Sequence, residues 1–157
     1  MENIIFERVK KEDSKEVAVL VGNLLNEIML RINIKAFNFD LEETNLRLKD
    51  FIKTEKNYIF IARRTEEIIG FITAYEGFAL YTEGAFGTIA ELYVKPEYRS
   101  KGIGKELIKT LSKFGQNKKW SRLEVTTPPL PQFNKTLEFY QTEGFDISGG
   151  RKLKICL

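Results

Sequence analysis

The stretch from Thr88 to Phe114 changes its hydrophobic period part-way along, and that change restricts what the chain can fold into more than any other feature. Thr88-Ile89-Ala90-Glu91-Leu92-Tyr93-Val94 is a run of strand formers. Pro96 ends it, because proline cannot donate to a ladder. From Lys105 onward Leu107, Ile108, Leu111 and Phe114 recur at helical spacing. Between them lies Tyr98-Arg99-Ser100-Lys101-Gly102-Ile103-Gly104-Lys105, two glycines among cations. A strand, a short turn and a helix must follow one another here.

Elements of both periods recur along the rest of the chain. Ile4 to Val9 is predicted as a strand. A helix follows from a cap at Asp13, with Glu16 three residues on, to about Leu30, with Val17, Val21, Leu24, Leu25 and Ile28 on one face. Asp40 and Glu43 repeat the cap signal before a helix that carries Leu46, Phe51 and Ile52 and fades near Lys53. Residues 58–62 and 68–74 form a predicted hairpin, and Thr82 to Phe86 a loop with Gly84 at its tip. Gly115 is expected to cap the helix that begins near Lys105. Arg122 to Thr126 reads as a strand, Thr136 to Glu143 as a helix stopped by Gly144, and two short strands near Phe145 and from Arg151 to Ile155 close the chain. The predicted order βααβββαβαββ has no internal repeat or long linker. It describes one mixed α/β domain over residues 1–157, a central, mostly antiparallel sheet flanked by helices.

Composition removes several function classes. The chain contains no histidine, which excludes Ser-His-Asp and Cys-His chemistry and histidine-based metal sites; no metal is expected. A general base must be a carboxylate, tyrosine, lysine, Cys156 or water. The net charge of +3 suits an anionic ligand but falls short of the basic excess of nucleic-acid-binding proteins. No apolar stretch has the length of a membrane span, and Met1-Glu2-Asn3-Ile4 has no signal-peptide pattern. The lone Cys156 excludes an internal disulfide and points to a reducing cytoplasm.

The glycine turn fits neither common nucleotide pattern. A P-loop would need glycine at Arg99 and serine or threonine at Glu106, and a dinucleotide fingerprint would need glycine at Leu107. What survives is the first turn of a helix, whose N–H groups lack intrahelical partners and stand open to an anion. Taken alone, Gly102 and Gly104 serve equally well to pack the helix closely on the strand.

The wider segment Glu91-Leu92-Tyr93-Val94-Lys95-Pro96-Glu97-Tyr98-Arg99-Ser100-Lys101-Gly102-Ile103-Gly104-Lys105 resembles the acyl-coenzyme A motif of the GNAT superfamily of N-acetyltransferases, whose Gln/Arg-x-x-Gly-x-Gly/Ala signature is matched by Arg99, Gly102 and Gly104. Downstream, Phe139-Tyr140-Gln141-Thr142-Glu143-Gly144-Phe145 resembles the family's second segment. The resemblance implies acetyl-CoA as cofactor. It implies that the strand Leu92, Tyr93 and Val94 runs beside the pantetheine arm, and that the loop Arg99, Ser100, Lys101, Gly102, Ile103, Gly104 and Lys105 holds the pyrophosphate. It also implies that Tyr140 serves the departing thiolate; the alternative for Tyr140 is a core aromatic beside Phe139. A phenol near pKa 10 can share its proton with a thiol near 8.5.

An alkyl amine is mostly protonated at neutral pH, so a base assists the attack. Glu91 is the candidate, on a strand face shared with Tyr93 rather than with Leu92 and Val94; a structural or substrate-orienting glutamate is the other reading. Phe133 stands where many relatives carry asparagine. The acceptor is expected to be a small-molecule amine, with a protein N-terminus or lysine as the alternative, bordered by residues 33–40, 75–86 and 145–150 with Glu76, Glu83 and Asp146. A homodimer is compatible with this reading. A non-catalytic acyl-CoA-binding module is the competing class.

Overall fold

The period change is realised as a strand, β4 (Gly84–Val94), a 3-10 turn over Pro96–Tyr98, and a helix, α3 (Ile103–Asn117). The computed structural model describes residues 3–157, in two compact units, Met1–Thr126 and Thr127–Leu157. In the first unit the remaining elements are β1 (Ile4–Arg8), α1 (Ser14–Ile32), α2 (Leu41–Thr54), β2 (Tyr58–Arg64), β3 (Glu67–Ala79) and β5 (Leu123–Val125). The second unit holds α4 (Asn134–Thr142). The five strands form one sheet in the order β1-β2-β3-β4-β5, antiparallel except for the parallel β4–β5 pair. This is the expected mixed α/β fold class.

Side-chain alternation along the strands assigns each helix to a face. Ile59, Ile61, Ile68, Phe71 and Tyr93 pack with Val17, Ala18 and Leu20 of α1 and Leu48 of α2. On the opposite face Tyr58 and Phe60 meet Phe114 of α3 at ring distances of 4.8 and 5.4 Å. Fully burying one Leu or Ile stabilises by roughly 1.5–3 kcal/mol, so these two layers carry most of the fold's stability.

Several local expectations are corrected. Asp40 does cap α2, accepting from the Glu43 N–H at 2.9 Å. Asp13 ends a 3-10 turn over Lys11–Asp13 and stands at the N-cap position of α1 as expected, but its side chain makes no cap bond to that helix: it accepts from the Lys10 N–H at 2.9 Å and pairs with Arg63 at 2.8 Å, while Glu16 reaches across to the Ile68 N–H at 2.7 Å. Leu46 is exposed, and Leu48 supplies the buried contact of α2. The loop predicted from Thr82 to Phe86 shrinks to a turn, because Thr82 Oγ1 bonds the Ala79 and Gly84 carbonyls and lets β4 start at Gly84.

Gly115 does not end α3. It lies inside the helix beneath Trp120, where an added Cβ would come within 2.7 Å of the indole, so its small size admits Trp120 rather than turning the chain. No ladder forms among the described residues after Phe145, so the two closing strands are absent. Gly149 and Gly150 both hold positive φ, 87° and 84°, which breaks the extended run, and Leu153 and Ile155 remain exposed.

Trp120 packs as closely on Gly87 of β4, where a Cβ would lie 2.3 Å from Cζ3 of the indole and 2.8 Å from Cδ2 of Leu123. Rigid groups on both sides leave no room to relax. Gly87→Ala should therefore lower unfolding free energy by about 1–3 kcal/mol, read as a lower urea midpoint with an unchanged slope. An unaltered midpoint would show that the Trp120 corner is loosely packed.

Candidate active site

Opposite the step from Thr73 to Ala74, β4 inserts one extra residue, Ala90: Thr73 pairs with Glu91 but Ala74 with Ile89. A bulge of this kind turns the strand and reverses which way its following groups point. The Glu91 N–H then bonds Thr73 Oγ1 at 3.0 Å and the Lys95 N–H bonds the Ile69 carbonyl at 2.9 Å, both toward β3. By alternation, Leu92 and Val94 direct their backbone groups to the other edge. There β5 pairs only with Gly87, Thr88 and Ile89, so among the described residues no strand lies beside the edge of β4 beyond the bulge.

Immediately after this open edge comes the glycine turn. Ser100 and Gly102 both adopt left-handed conformations, φ 61° and 82°, and Gly102 is the residue preceding α3. An added Cβ at Gly102 would meet nothing within 4 Å, so its need for glycine is set by the backbone angle and not by space. The first backbone bond of the helix is Glu106 N–H to the Gly102 carbonyl at 3.1 Å. The preceding N–H groups of Ser100, Lys101, Gly102, Ile103, Gly104 and Lys105 donate to no protein acceptor among the described residues. Ile103, buried beneath the turn, holds this row of donors at the surface.

Arg99 is turned away from these donors. Its Nη2 pairs with Glu27 of α1 at 2.8 Å, its Nε donates to the Val94 carbonyl at 2.8 Å, and its guanidinium lies 5.3 Å from the Tyr93 ring. It ties the turn to α1 and neutralises its own charge in doing so. Tyr93 is buried beside Phe71, at 6.4 Å between ring centres, and its backbone faces β3. Lys101 leans over Tyr98 at 5.7 Å from the ring centre.

Glu91 shares a face with Thr73 and Tyr93, as its strand position requires. The Thr73 hydroxyl donates to Glu91 Oε1, and no cation pairs with this carboxylate among the described residues. Burial pushes its pKa above the usual carboxylate range and the Thr73 hydrogen bond opposes part of that rise. A carboxylate so placed is a better proton acceptor near neutral pH than an exposed one. Nothing in the sequence pairs Thr73 with Glu91, eighteen residues apart; only the β3–β4 register does.

Glu76 is not on this face. It accepts from the Trp120 indole at 2.6 Å and lies 3.8 Å from the Lys118 ammonium, on the α3 side of the sheet. The second unit is built around a different aromatic group. The Tyr140 ring packs against Phe139 and Phe145, each at 5.3 Å, and burial raises the pKa of its phenol. The hydroxyl bonds to no group of its own unit. The Asp146 side chain belongs to an exposed residue of the same unit.

An open strand edge, a row of free N–H donors and a desolvated glutamate on one strand–turn–helix unit agree with the family whose profile the chain matches. The model of the Acetyltransferase (GNAT) family matches residues 25–145, a span that includes the bulge, the turn and Tyr140. The chain belongs to the GNAT family. It is an acetyl-CoA-dependent acyltransferase of the N-acetyltransferase type. No curated protein sequence matches it.

Solved structures share the GNAT fold with it at low identity. An aminoglycoside N-acetyltransferase, AAC(6')-Iy, in complex with CoA has a TM-score of 0.82 at 16% identity, over 99% of this chain and 96% of that one. A transcriptional regulator from Bacillus halodurans C-125 has 0.80 at 20%, over 99% and 100%. A ribosomal-protein-alanine N-acetyltransferase from Brucella melitensis biovar Abortus 2308 has 0.71 at 18%, over 98% and 100%. These proteins share the fold and are named for different activities. No helix among the described residues is long and apolar enough to cross a membrane.

Proposed function

We propose that the chain moves an acetyl group from acetyl-CoA to the primary amine of a small molecule by direct attack. The observation that carries this reading is the row of unused N–H donors from Ser100 to Lys105, set beside the unpaired edge of β4. These donors would hold the pyrophosphate, and the backbone of Leu92 and the N–H of Val94 would pair with the pantetheine amides. Each hydrogen bond to a charged oxygen contributes about 1.5–3 kcal/mol, against roughly 0.3–1 for the helix dipole alone, so the row of donors dominates. Arg99 holds the turn in shape without touching the phosphates.

Acetyl-CoA supplies the acetyl group as an activated thioester. Glu91 accepts the proton that the attacking ammonium must lose, and Thr73 fixes the carboxylate's orientation. Tyr140 donates to the sulfur as it leaves with its bonding electrons; its raised pKa keeps the phenol protonated until that charge appears. The amine nitrogen sheds a second proton to solvent as the amide forms, Glu91 releases its own proton to solvent, and solvent reprotonates Tyr140, which restores the starting state. Ammonium and acetyl-CoA thus give the amide, free CoA thiol and one net proton.

Replacing Gly102 by valine tests the cradle. A β-branched residue at φ 82° is strained by about 1–2 kcal/mol, so the turn relaxes and its donors diverge. The dissociation constant for acetyl-CoA, measured by calorimetry, is expected to rise tenfold or more, with the melting temperature shifted by only a few degrees. Unchanged affinity would remove the turn from the cofactor site. Thiol release with a panel of amines checks the transferase reading itself; protein that binds acetyl-CoA yet acetylates none of them would be a binding module.

A further inference from the structure

The face that carries Glu91 continues beyond the cover of α1 and α2 as an aromatic surface, and its charges are already arranged. Tyr75 follows Thr73 by two residues on β3 and pairs with Thr88, which in turn pairs with Glu124 of β5. Phe86, two residues before Thr88, lays its ring over Gly77, where a Cβ would come within 2.7 Å. Tyr81 packs on Phe86 with ring centres 6.2 Å apart and points its hydroxyl at Glu124, 3.3 Å away. Tyr75 is 45% and Tyr81 67% exposed.

On this face the strands of the open end carry two carboxylates among the described residues, Glu91 and Glu124. Glu124 is held by Arg122 at 2.6 Å, and the same guanidinium lies over the Tyr81 ring at 4.9 Å. A second ammonium on an acceptor would need just these groups, a carboxylate and an aromatic face, and a fixed cation already occupies both. Glu76, the other carboxylate of this hairpin stem, lies on the opposite face. Of the strand carboxylates described on this face, that leaves Glu91, beside the rings of Tyr75 and Phe86.

Building on the transferase reading, we infer that the acceptor is a monoamine with an aromatic body, its amine directed to Glu91 and its ring laid along Tyr75 and Phe86. A polycation such as a polyamine or an aminoglycoside is disfavoured by Arg122.

The test compares kcat/KM, from thiol release, for 2-phenylethylamine and tyramine against spermidine and kanamycin. The arylalkyl monoamines are expected to exceed both polycations by at least about tenfold, one charge-assisted contact's worth, and to lose little rate between low and high salt. Tyr75→Ala should cut the value for 2-phenylethylamine about tenfold with the dissociation constant for acetyl-CoA unaltered. Arg122→Ala, which frees Glu124 and Tyr81, should raise activity toward spermidine. If the polycations are turned over faster, with a steep loss in salt, the inference falls and the transferase reading stands. If no amine releases thiol although acetyl-CoA binds, both fall.

Discussion

Tyr140→Phe is expected to lower kcat by about 10²–10⁴, the usual contribution of a positioned proton donor, while the dissociation constant for acetyl-CoA stays within about twofold. The substitution removes one oxygen and leaves the ring contacts with Phe139 and Phe145 in place, so the second unit keeps its packing. Because burial raises the pKa of this phenol, the wild-type enzyme holds Tyr140 neutral across the whole working range. No alkaline limb of the rate profile should then belong to it below its ordinary value near 10. Single-turnover measurement of acetyl transfer separates chemistry from product release. A wild-type single-turnover rate in the Phe variant would reduce Tyr140 to a core aromatic.

Glu91→Gln should reduce kcat/KM by about a hundredfold at pH 7 and flatten the acid limb of the pH–rate profile. Glutamine still accepts from the Thr73 hydroxyl and keeps the shape of the side chain, so what is lost is the ability to take a proton. Burial raises the pKa of Glu91 in the folded protein, so folding favours the protonated form. Its contribution to stability is present below the ordinary glutamate value near 4.3 and is lost as pH rises through the elevated folded value. The Gln variant should accordingly melt above wild type at neutral pH, and the gap should close toward pH 4. Lower activity with higher stability marks a residue kept for chemistry. A Gln variant with wild-type activity and an unchanged profile would leave water as the only base.

Much of this was legible in the sequence because it depends on neighbours along the chain. The end of β4 before Pro96, the glycine turn, the amphipathic α3 and the Asp40 cap are local devices, and each forms close to where the residue pattern places it. What escaped depends on contacts across the sheet. The Ala90 bulge shifts the β3–β4 register so that Glu91 meets Thr73, while plain alternation along β3 from Thr73 puts Glu76 on the α3 face against Trp120. Gly115 looks like a cap in sequence because the indole that requires it comes five residues later and folds back over it. Arg99 carries the family signature, yet its partner is Glu27, 72 residues away, which no local pattern could name. The stretch from Arg151 to Ile155, with Leu153 and Ile155 in alternation, reads as a strand, but a strand also needs a backbone beside it.

On the proposed reading the donors from Ser100 to Lys105 hold the pyrophosphate of acetyl-CoA. Calorimetric titration of the wild-type protein and of the Gly102→Val variant with acetyl-CoA and with S-acetylpantetheine, which keeps the thioester and both amides but lacks the diphosphate and the phosphorylated adenosine attached to it, addresses it most directly. Loss of two or more charge-assisted hydrogen bonds should weaken S-acetylpantetheine by at least about a hundredfold. Equal affinity for the two compounds would contradict the claim and leave Gly102 and Gly104 as packing residues.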